Sequence, residues 1–394
     1  MKYGLLYYKD TDNIGDDIQS YAASKFLPRI DYLIDRENIE GFVPKKDEYV
    51  ATIMNAWYVH DKYNFNMSPF IYPLYTSMFF KKFIPDKGVD VGFDYINSSI
   101  INSLKNYGPV GCRDLHTEKT LTELGVKVYF SGCMTLTLDK FNDIKKENYI
   151  VTVGLTDEEY EFIKNKTNRP VKKFIQDVKR GSFSEETWKQ RKDRVEEVLK
   201  LYQGAHMVVT TKLHCALPCL ALGTPVLLLY DDSFSENKDR LGTYLKYLNY
   251  INRKELKKAE INFEKPAKNK KDYLELRNNL IKSCNSFIES SKDINLKPPV
   301  SIKYYKQMIE EQKQCRGIII NHLEKLQLEY VKKCNTLIKL KEKNKKIKSE
   351  YEAEYKYISS EYANLLEKYN SIIYSRTYKI IKKINEIRRF KNEK

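Results

Sequence analysis

Nowhere in these 394 residues is there a run of about 18 apolar side chains, so no segment reads as a membrane-spanning helix. The opening stretch, Met1-Lys2-Tyr3-Gly4-Leu5-Leu6-Tyr7-Tyr8, is too short for a signal peptide and leads to no cleavage site, which gives a cytoplasmic reading. The seven cysteines are odd in number and form no Cys-x-x-Cys pair, which argues against a disulfide framework and a zinc ribbon. His60, His116, His206 and His322 have no partners at ligand spacing, so no metal site is expected. Gly-x-Gly-x-x-Gly is absent, and with it the dinucleotide fingerprint. Beyond Pro299 there is no proline and only one glycine, Gly317, so little there could interrupt a helix.

What is present is a chain of 42% hydrophobic and 31% charged residues, enough for real cores in two or three domains. The net charge is +16, which taken alone invites a nucleic-acid partner. Its distribution speaks against one. Residues 301–394 hold 23 Lys and Arg against 12 Asp and Glu, a net +11, and the first 300 residues carry the other +5. No groove-reading motif accompanies this charge, and no nucleic acid is expected.

Residues 1–145 alternate between apolar runs and helical spacing. Strands are predicted at Tyr3 to Tyr8, Tyr49 to Ala56, Pro109 to Cys112 and Val126 to Phe130, and helices at Ile14 to Phe26 and Thr117 to Leu124. After a polar stretch from Asp139 to Asn148 the pattern restarts. Strands are predicted at Ile150 to Gly154, Val171 to Asp177, His206 to Thr210 and Val226 to Tyr230. Helices are predicted at Glu158 to Asn165, Glu185 to Leu201 and Lys212 to Leu222. The expected fold class is α/β: two Rossmann-like domains, 1–145 and 146–296, the second ending in a closing helix. Residues 300–372 read as one long helix. Tyr351, Tyr355, Ile358, Tyr362, Leu365, Tyr369 and Ile372 follow a 4-3-4-3 seam, extended backwards by Leu337, Cys334 and Tyr330 and interrupted at Lys341, Asn344 and Lys348. Such a seam suits a coiled coil with a second copy or another partner; the plain alternative is a helix packed on the rest of the chain. Residues 373–394 form a basic amphipathic end that suits an anionic membrane surface.

Three segments could carry chemistry. In Thr210-Thr211-Lys212-Leu213-His214 a strand ends at a helix mouth. The amides and dipole of that mouth favour an anion, Lys212 adds counter-charge, and His214 can move a proton near neutral pH. Pro218 lies inside the same helix, so a kink is expected and the His214 carbonyl loses its usual partner. In Asn13-Ile14-Gly15-Asp16-Asp17, Asn13 can cap, Gly15 permits close backbone approach, and Asp16 or Asp17 could serve as a base towards a sugar hydroxyl. Plain helix capping explains these residues as readily. In Gly108-Pro109-Val110-Gly111-Cys112-Arg113-Asp114, Arg113 follows a strand and can grip a carboxylate or phosphate; a structural pair with Asp114 is the alternative. Ser131 and Gly132 close the first half and are expected to face the cleft, while Cys133 reads as a packed side chain.

These motifs, NIGDDIQ, GPVGCRDLHTEKTLTELGVKVYFSGCMTLTL and VVTTKLHCALPCLALGTPVLLLY in this order over about residues 1–235, resemble the polysaccharide pyruvyl transferase family. The resemblance implies a GT-B-type pair of Rossmann-like domains. It also implies transfer of pyruvate from phosphoenolpyruvate onto a sugar diol as a cyclic ketal, in cell-surface polysaccharide synthesis. It maps the family's phosphoenolpyruvate-contacting Arg-Leu-His onto Lys212-Leu213-His214, with Lys in place of Arg. It maps the family's first-half arginine onto Arg113 and its acidic loop onto Asp16 and Asp17. The expected partners are phosphoenolpyruvate, a glycan or lipid-linked sugar acceptor, a second copy through the tail, and an anionic membrane at the inner face of the cell membrane. No cofactor is needed. Asn13, Thr211 and Ser131 join Arg113, Lys212 and Leu213 as substrate-binding candidates, with His214, Asp16 and Asp17 as catalytic ones. The competing expectations are a nucleotide-sugar glycosyltransferase on the same architecture and a non-catalytic scaffold of polysaccharide synthesis.

Overall fold

The computed structural model describes residues 1–58, 66–81, 96, 98–177, 185–233, 238, 240–294, 296–343 and 348–392, without the side chains of 99, 338–343, 348–350, 372–379, 381–382 and 384–392. His60 lies outside the described residues. The chain divides into two compact units. One, the body, holds residues 1–44, 48–96 and 100–297; the other holds 45–47, 97–99 and 298–394.

The body opens with β1 (Lys2–Tyr7), α1 (Ile14–Ser24), β2 (Tyr32–Asp35), β3 (Val50–Ile53), β4 (Trp57–Tyr58), β5 (Ile71–Leu74) and β6 (Phe79–Phe80). There follow α2 (Ser98–Asn106), β7 (Val110–Cys112), α3 (Leu115–Glu123) and β8 (Val128–Phe130). The first sheet is parallel, in the order β2-β1-β3-β5. The amide of Gly111 in β7 bonds the carbonyl of Tyr75 just past β5, and the amide of Met78 bonds the Gly111 carbonyl. The β7–β8 pair is thereby tied to this sheet. Pro73 sits in β5, at the end of the sheet order, where its missing amide costs least.

The second part of the body runs β9 (Ile150–Val153), α4 (Asp157–Lys164), β10 (Val171–Phe174), α5 (Trp188–Gly204), β11 (Met207–Thr210), α6 (Leu213–Leu222), β12 (Val226–Tyr230) and β13 (Asn249–Asn252). Its sheet is also parallel, in the order β10-β9-β11-β12-β13. Ile150–Val153 and Met207–Thr210 are buried along their whole length, as expected where helices cover both faces of a parallel sheet. The mixed α/β class with parallel sheets is the one expected.

Leu5 and Ile18 of the first part share one apolar cluster with Val151, Val208 and Leu213 of the second. The helix Tyr273–Lys292 then stacks Phe287 on Tyr72 of β5, ring centroids 5.8 Å apart. Both sheets therefore pack within one unit rather than as separated bodies.

The tail differs from its expectation. Instead of one helix over 300–372 there are two, Ile302–Lys343 and Lys348–Asn392. The rings of Tyr330 and Tyr355 lie 5.9 Å apart, and Lys333 pairs with Glu354 at 3.6 Å. A continuous helix would separate positions 330 and 355 by roughly 38 Å at ~1.5 Å per residue, so the tail folds back on itself. Of the residues that interrupt the seam, Asn344 lies outside the described residues, and Lys341 and Lys348 lie near the facing ends of the two helices. A polar stretch offers a straight coiled coil nothing to bury.

Candidate active site at two helix mouths

The chemistry-bearing residues gather just past the carboxyl ends of parallel strands, where open α/β sheets hold their ligands. Asn55 follows β3, Arg113 follows β7, Gly154 follows β9, Asp177 follows β10, and Lys212 with His214 follow β11.

The loop from β1 to α1 is built by its own polar side chains. Asn13 caps α1 through Oδ1, which accepts from the Gly15 amide at 2.7 Å. Thr11 receives the Asn13 amide at 3.0 Å and donates to Asp16 Oδ2 at 2.8 Å. Gly15 then lies directly against the second helix mouth. A Cβ on Gly15 would come within 2.9 Å of both Cβ and Nδ1 of His214, and 2.8 Å of Asn13 Oδ1. The two motifs are distant in the chain, and their close approach in space explains why only glycine fits there.

The two acids diverge. Asp16 accepts from Arg36 Nη1 at 2.8 Å, and that guanidinium also bonds Glu37 and lies 4.0 Å over Tyr8. Asp17 is fully buried. It receives Arg191 Nη1 at 3.2 Å and Arg194 Nη2 at 3.0 Å, both from α5. Burial pushes the Asp17 carboxyl up, against the pull of those two arginines. Asp17 therefore ties α1 to α5, and Asp16 is the acid whose field reaches His214.

At the second mouth, Lys212 is the N-cap residue of α6 and its amide bonds Thr210 Oγ1 at 2.9 Å. Thr211 donates to the Gly154 carbonyl at 2.9 Å. Gly154 has φ +74°, and a Cβ there would strike Thr211 Oγ1 at 2.4 Å, so the β9 turn also demands glycine. Leu213 is a core side chain, 2% exposed. The ammonium of Lys212 pairs with Asp177, whose other oxygen receives Asn13 Nδ2 at 2.7 Å. One carboxylate thus bridges the two mouths.

The expected kink is present. His214 departs from helical geometry at φ −79°, ψ 18°, with Pro218 one turn on. Its carbonyl is not left without a partner, however, because Gln176 Nε2 donates to it at 3.1 Å and to Tyr202 OH at 3.0 Å. His214 is half-buried, and its Nε2 is buried with no hydrogen-bond partner among the described residues. Burial, reinforced by the guanidiniums of Arg113, Arg240 and Arg36, holds the imidazole well below its ordinary range; Asp16 opposes them. These surroundings favour the neutral ring.

Arg113 is fully buried. Its Nη1 donates to Gln19 Oε1 at 2.7 Å, its guanidinium lies 4.9 Å over the Phe79 ring, and its carbonyl accepts from Tyr244 OH. It does not pair with Asp114, which caps α3 by accepting the Thr117 amide and hydroxyl, each at 2.9 Å. Ser131 is also buried, but its Oγ accepts the Ser77 amide at 3.0 Å and donates to the Cys112 carbonyl at 3.0 Å. It braces the β7–β8 pair instead of presenting a free hydroxyl. Cys133 is fully buried in the core.

The structure therefore brings Asn13, Gly15, Asp16, Lys212 and His214 together, within the electrostatic reach of Arg113. Gln19, Arg36, Gln176, Asp177 and Arg240 escaped the sequence reading. Gln19 lies within the NIGDDIQ motif, and Gln176 and Asp177 close a predicted strand. Their positions beside the other candidates are the signal that could have found them.

Residues 91–233 match the family model described as Polysaccharide pyruvyl transferase. The matched stretch contains Arg113 and Lys212-Leu213-His214, and agrees with the resemblance drawn from the motifs. No curated protein matches the chain. Among solved structures, the chain is similar to a functionally uncharacterised protein from Klebsiella pneumoniae at 15% identity and a TM-score of 0.41, covering 64% of this chain and 92% of that one. It is also similar to the UDP-GlcNAc 2-epimerase of Methanocaldococcus jannaschii, in complex with UDP-GlcNAc and UDP, at 11% identity and a TM-score of 0.37. That pairing covers 74% of this chain and 99% of the epimerase.

Proposed function

We propose that this chain is a polysaccharide pyruvyl transferase that moves pyruvate from phosphoenolpyruvate onto a sugar diol as a cyclic ketal. The observation that carries the reading is His214, whose buried Nε2 has no hydrogen-bond partner among the described residues and whose ring is set among guanidiniums and against the Gly15 backbone. The family match over residues 91–233 supports the transferase class.

In this mechanism Arg113, Lys212 and the α6 mouth hold the phosphate and carboxylate of the donor. Lys212 exchanges its pairing with Asp177 for the ligand. The arriving negative charge offsets the arginines and raises the proton affinity of His214. The imidazolium gives its proton to the methylene carbon, which becomes a methyl group, and positive charge develops at the ketal carbon. One sugar hydroxyl attacks there, its proton passing to Asp16. The bond from that carbon to the phosphate oxygen breaks and phosphate leaves. The neighbouring hydroxyl then closes the ring and releases the second proton. The acceptor is a glycan or lipid-linked precursor of a cell-surface polysaccharide, met in the cytoplasm at the inner face of the membrane.

The test is phosphate release from phosphoenolpyruvate with candidate glycans. Removing His214 as alanine is expected to cost ~10²–10⁴-fold in turnover, and full activity of that variant would remove His214 from the mechanism. Thermal stabilisation by a nucleoside diphosphate and not by phosphoenolpyruvate would move the assignment to a nucleotide-sugar transferase.

A further inference from the structure

Among the described residues, two of the buried arginines in this body are matched with carboxylates and a third is not. Arg36 bonds Asp16 and Glu37, and Arg191 bonds Asp17. Arg113, 0% exposed, pairs with no carboxylate among the described residues. Its Nη1 is taken by the amide oxygen of Gln19, itself 3% exposed. Gln19 is held in turn by its place on α1 and by Asn55 Nδ2, which donates to the Gln19 carbonyl at 3.1 Å. Among the described residues, the Nε and Nη2 atoms of Arg113 are buried without a hydrogen-bond partner, and so is Oδ1 of Asn55.

Nε and Nη2 lie on one edge of the guanidinium plane, and their N–H bonds point the same way. That edge is a fork of the spacing that grips a carboxylate or a phosphate with two parallel hydrogen bonds. Asp114 feels the field of this guanidinium without pairing with it, and a buried charge with no directly paired counter-charge is unfavourable. A glutamate at position 19 would have the same shape and would relieve it. The neutral amide orients the guanidinium and leaves its charge available.

We propose that Gln19 is the positioning residue of this site: it fixes Arg113 through Nη1 without neutralising it, so that the Nε–Nη2 edge receives the carboxylate or phosphate of an acidic substrate. The choice of phosphoenolpyruvate as that substrate rests on the function proposed above; the requirement for an anion does not.

The experiment measures binding of phosphoenolpyruvate and of inorganic phosphate by isothermal titration to the full chain and to its Gln19→Glu and Gln19→Met variants, with the melting temperature of each. Gln19→Glu is expected to be at least as stable as the parent and to bind anion roughly tenfold or more weakly, since it competes for the guanidinium. Gln19→Met removes the hydrogen bond without adding charge and is expected to lose less affinity. Anion binding that survives Gln19→Glu overturns the inference. So does a loss of affinity that follows the loss of stability across both variants. If the parent binds phosphate and not phosphoenolpyruvate, and Gln19→Glu abolishes that binding, the inference stands and the donor assignment falls. If phosphoenolpyruvate binds parent and Gln19→Glu alike, the donor assignment stands and the inference falls. A parent that binds neither anion overturns both.

Discussion

His214 is poised by its surroundings rather than by its own chemistry. Because burial and three arginines lower its affinity for a proton, the unfolded chain binds that proton more readily below its ordinary pKa of about 6.5. The stability tied to the neutral ring is complete above that pH and is lost as pH falls through the folded value. A His214→Asn variant should therefore show a shallower loss of stability on acidification, measured by urea unfolding across pH 7 to 5. Donor binding should draw a proton onto the same ring. Titration calorimetry near pH 7 in buffers of different ionisation enthalpy is expected to report proton uptake with the parent and none with His214→Asn. Gly15→Ala probes the ring's position. Its methyl group would collide with His214 and Asn13, so turnover should fall by more than the melting temperature indicates. Motif spacing named His214 and Gly15 as candidates, but their mutual contact was not legible, because it joins the starts of two helices far apart in the chain.

At the level of single elements, α6 shows how a break in a helix can be made part of a site. Pro218 removes the amide that would satisfy the His214 carbonyl, and Gln176 supplies a donor from the end of β10. Replacing Gln176 with Met leaves that carbonyl and Tyr202 without this donor. The expected cost is ~1–3 kcal/mol in chemical denaturation. Most strands and helices of the body were legible as apolar runs or helical spacing. The strand expected at Tyr3 to Tyr8 is Lys2–Tyr7, and the helix expected at Thr117 to Leu124 is Leu115–Glu123. Tyr32–Asp35, Trp57–Tyr58, Phe79–Phe80, Ile71–Leu74 and Asn249–Asn252 escaped, and the last two carry weak local signals: Ile71–Leu74 contains Pro73, and Asn249–Asn252 reads Asn-Tyr-Ile-Asn. These two lie at the ends of their sheets, where pairing tolerates such residues.

Across the whole body, the ion pairs of Asp17 join helices from the two halves of the sequence. Arg191 is 1% exposed at its side chain and Asp17 0%, so removing Asp17 leaves the Arg191 charge buried without its carboxylate, whereas removing Arg191 leaves Asp17 paired with Arg194. Asp17→Asn should cost ~3–5 kcal/mol and Arg191→Met less. Asp17→Asn should lower stability more than turnover, whereas Asp16→Asn should lower turnover more; paired denaturation and kinetic measurements separate them. The tail belongs to another unit, and its proposed roles are assembly and membrane contact. Truncation after Pro299 is expected to leave a folded, smaller species by light scattering, and an unchanged oligomeric state would count against assembly. Residues 375–389 lie in the helix Lys348–Asn392, although most of their side chains are outside those described. Co-sedimentation of the full chain with anionic liposomes should weaken as salt rises.

Local pattern alone determined the α/β class, the restart of the alternation near residue 149, the helical tail and the candidates at the two mouths. Periodicity, glycine and helix-start residues act over a few positions, and a linear reading captures them. Only the tertiary structure decided which acid's field reaches His214, that Ser131 braces a strand pair, that Gln176 and Asp177 contact the candidate residues, and that the tail folds back on itself. These outcomes depend on charge pairing, burial and close approach between segments far apart in the chain. Asp16 and Asp17 make the point: they are adjacent acids on one helix, separated in role because one meets Arg36 and the other is buried against Arg191 and Arg194.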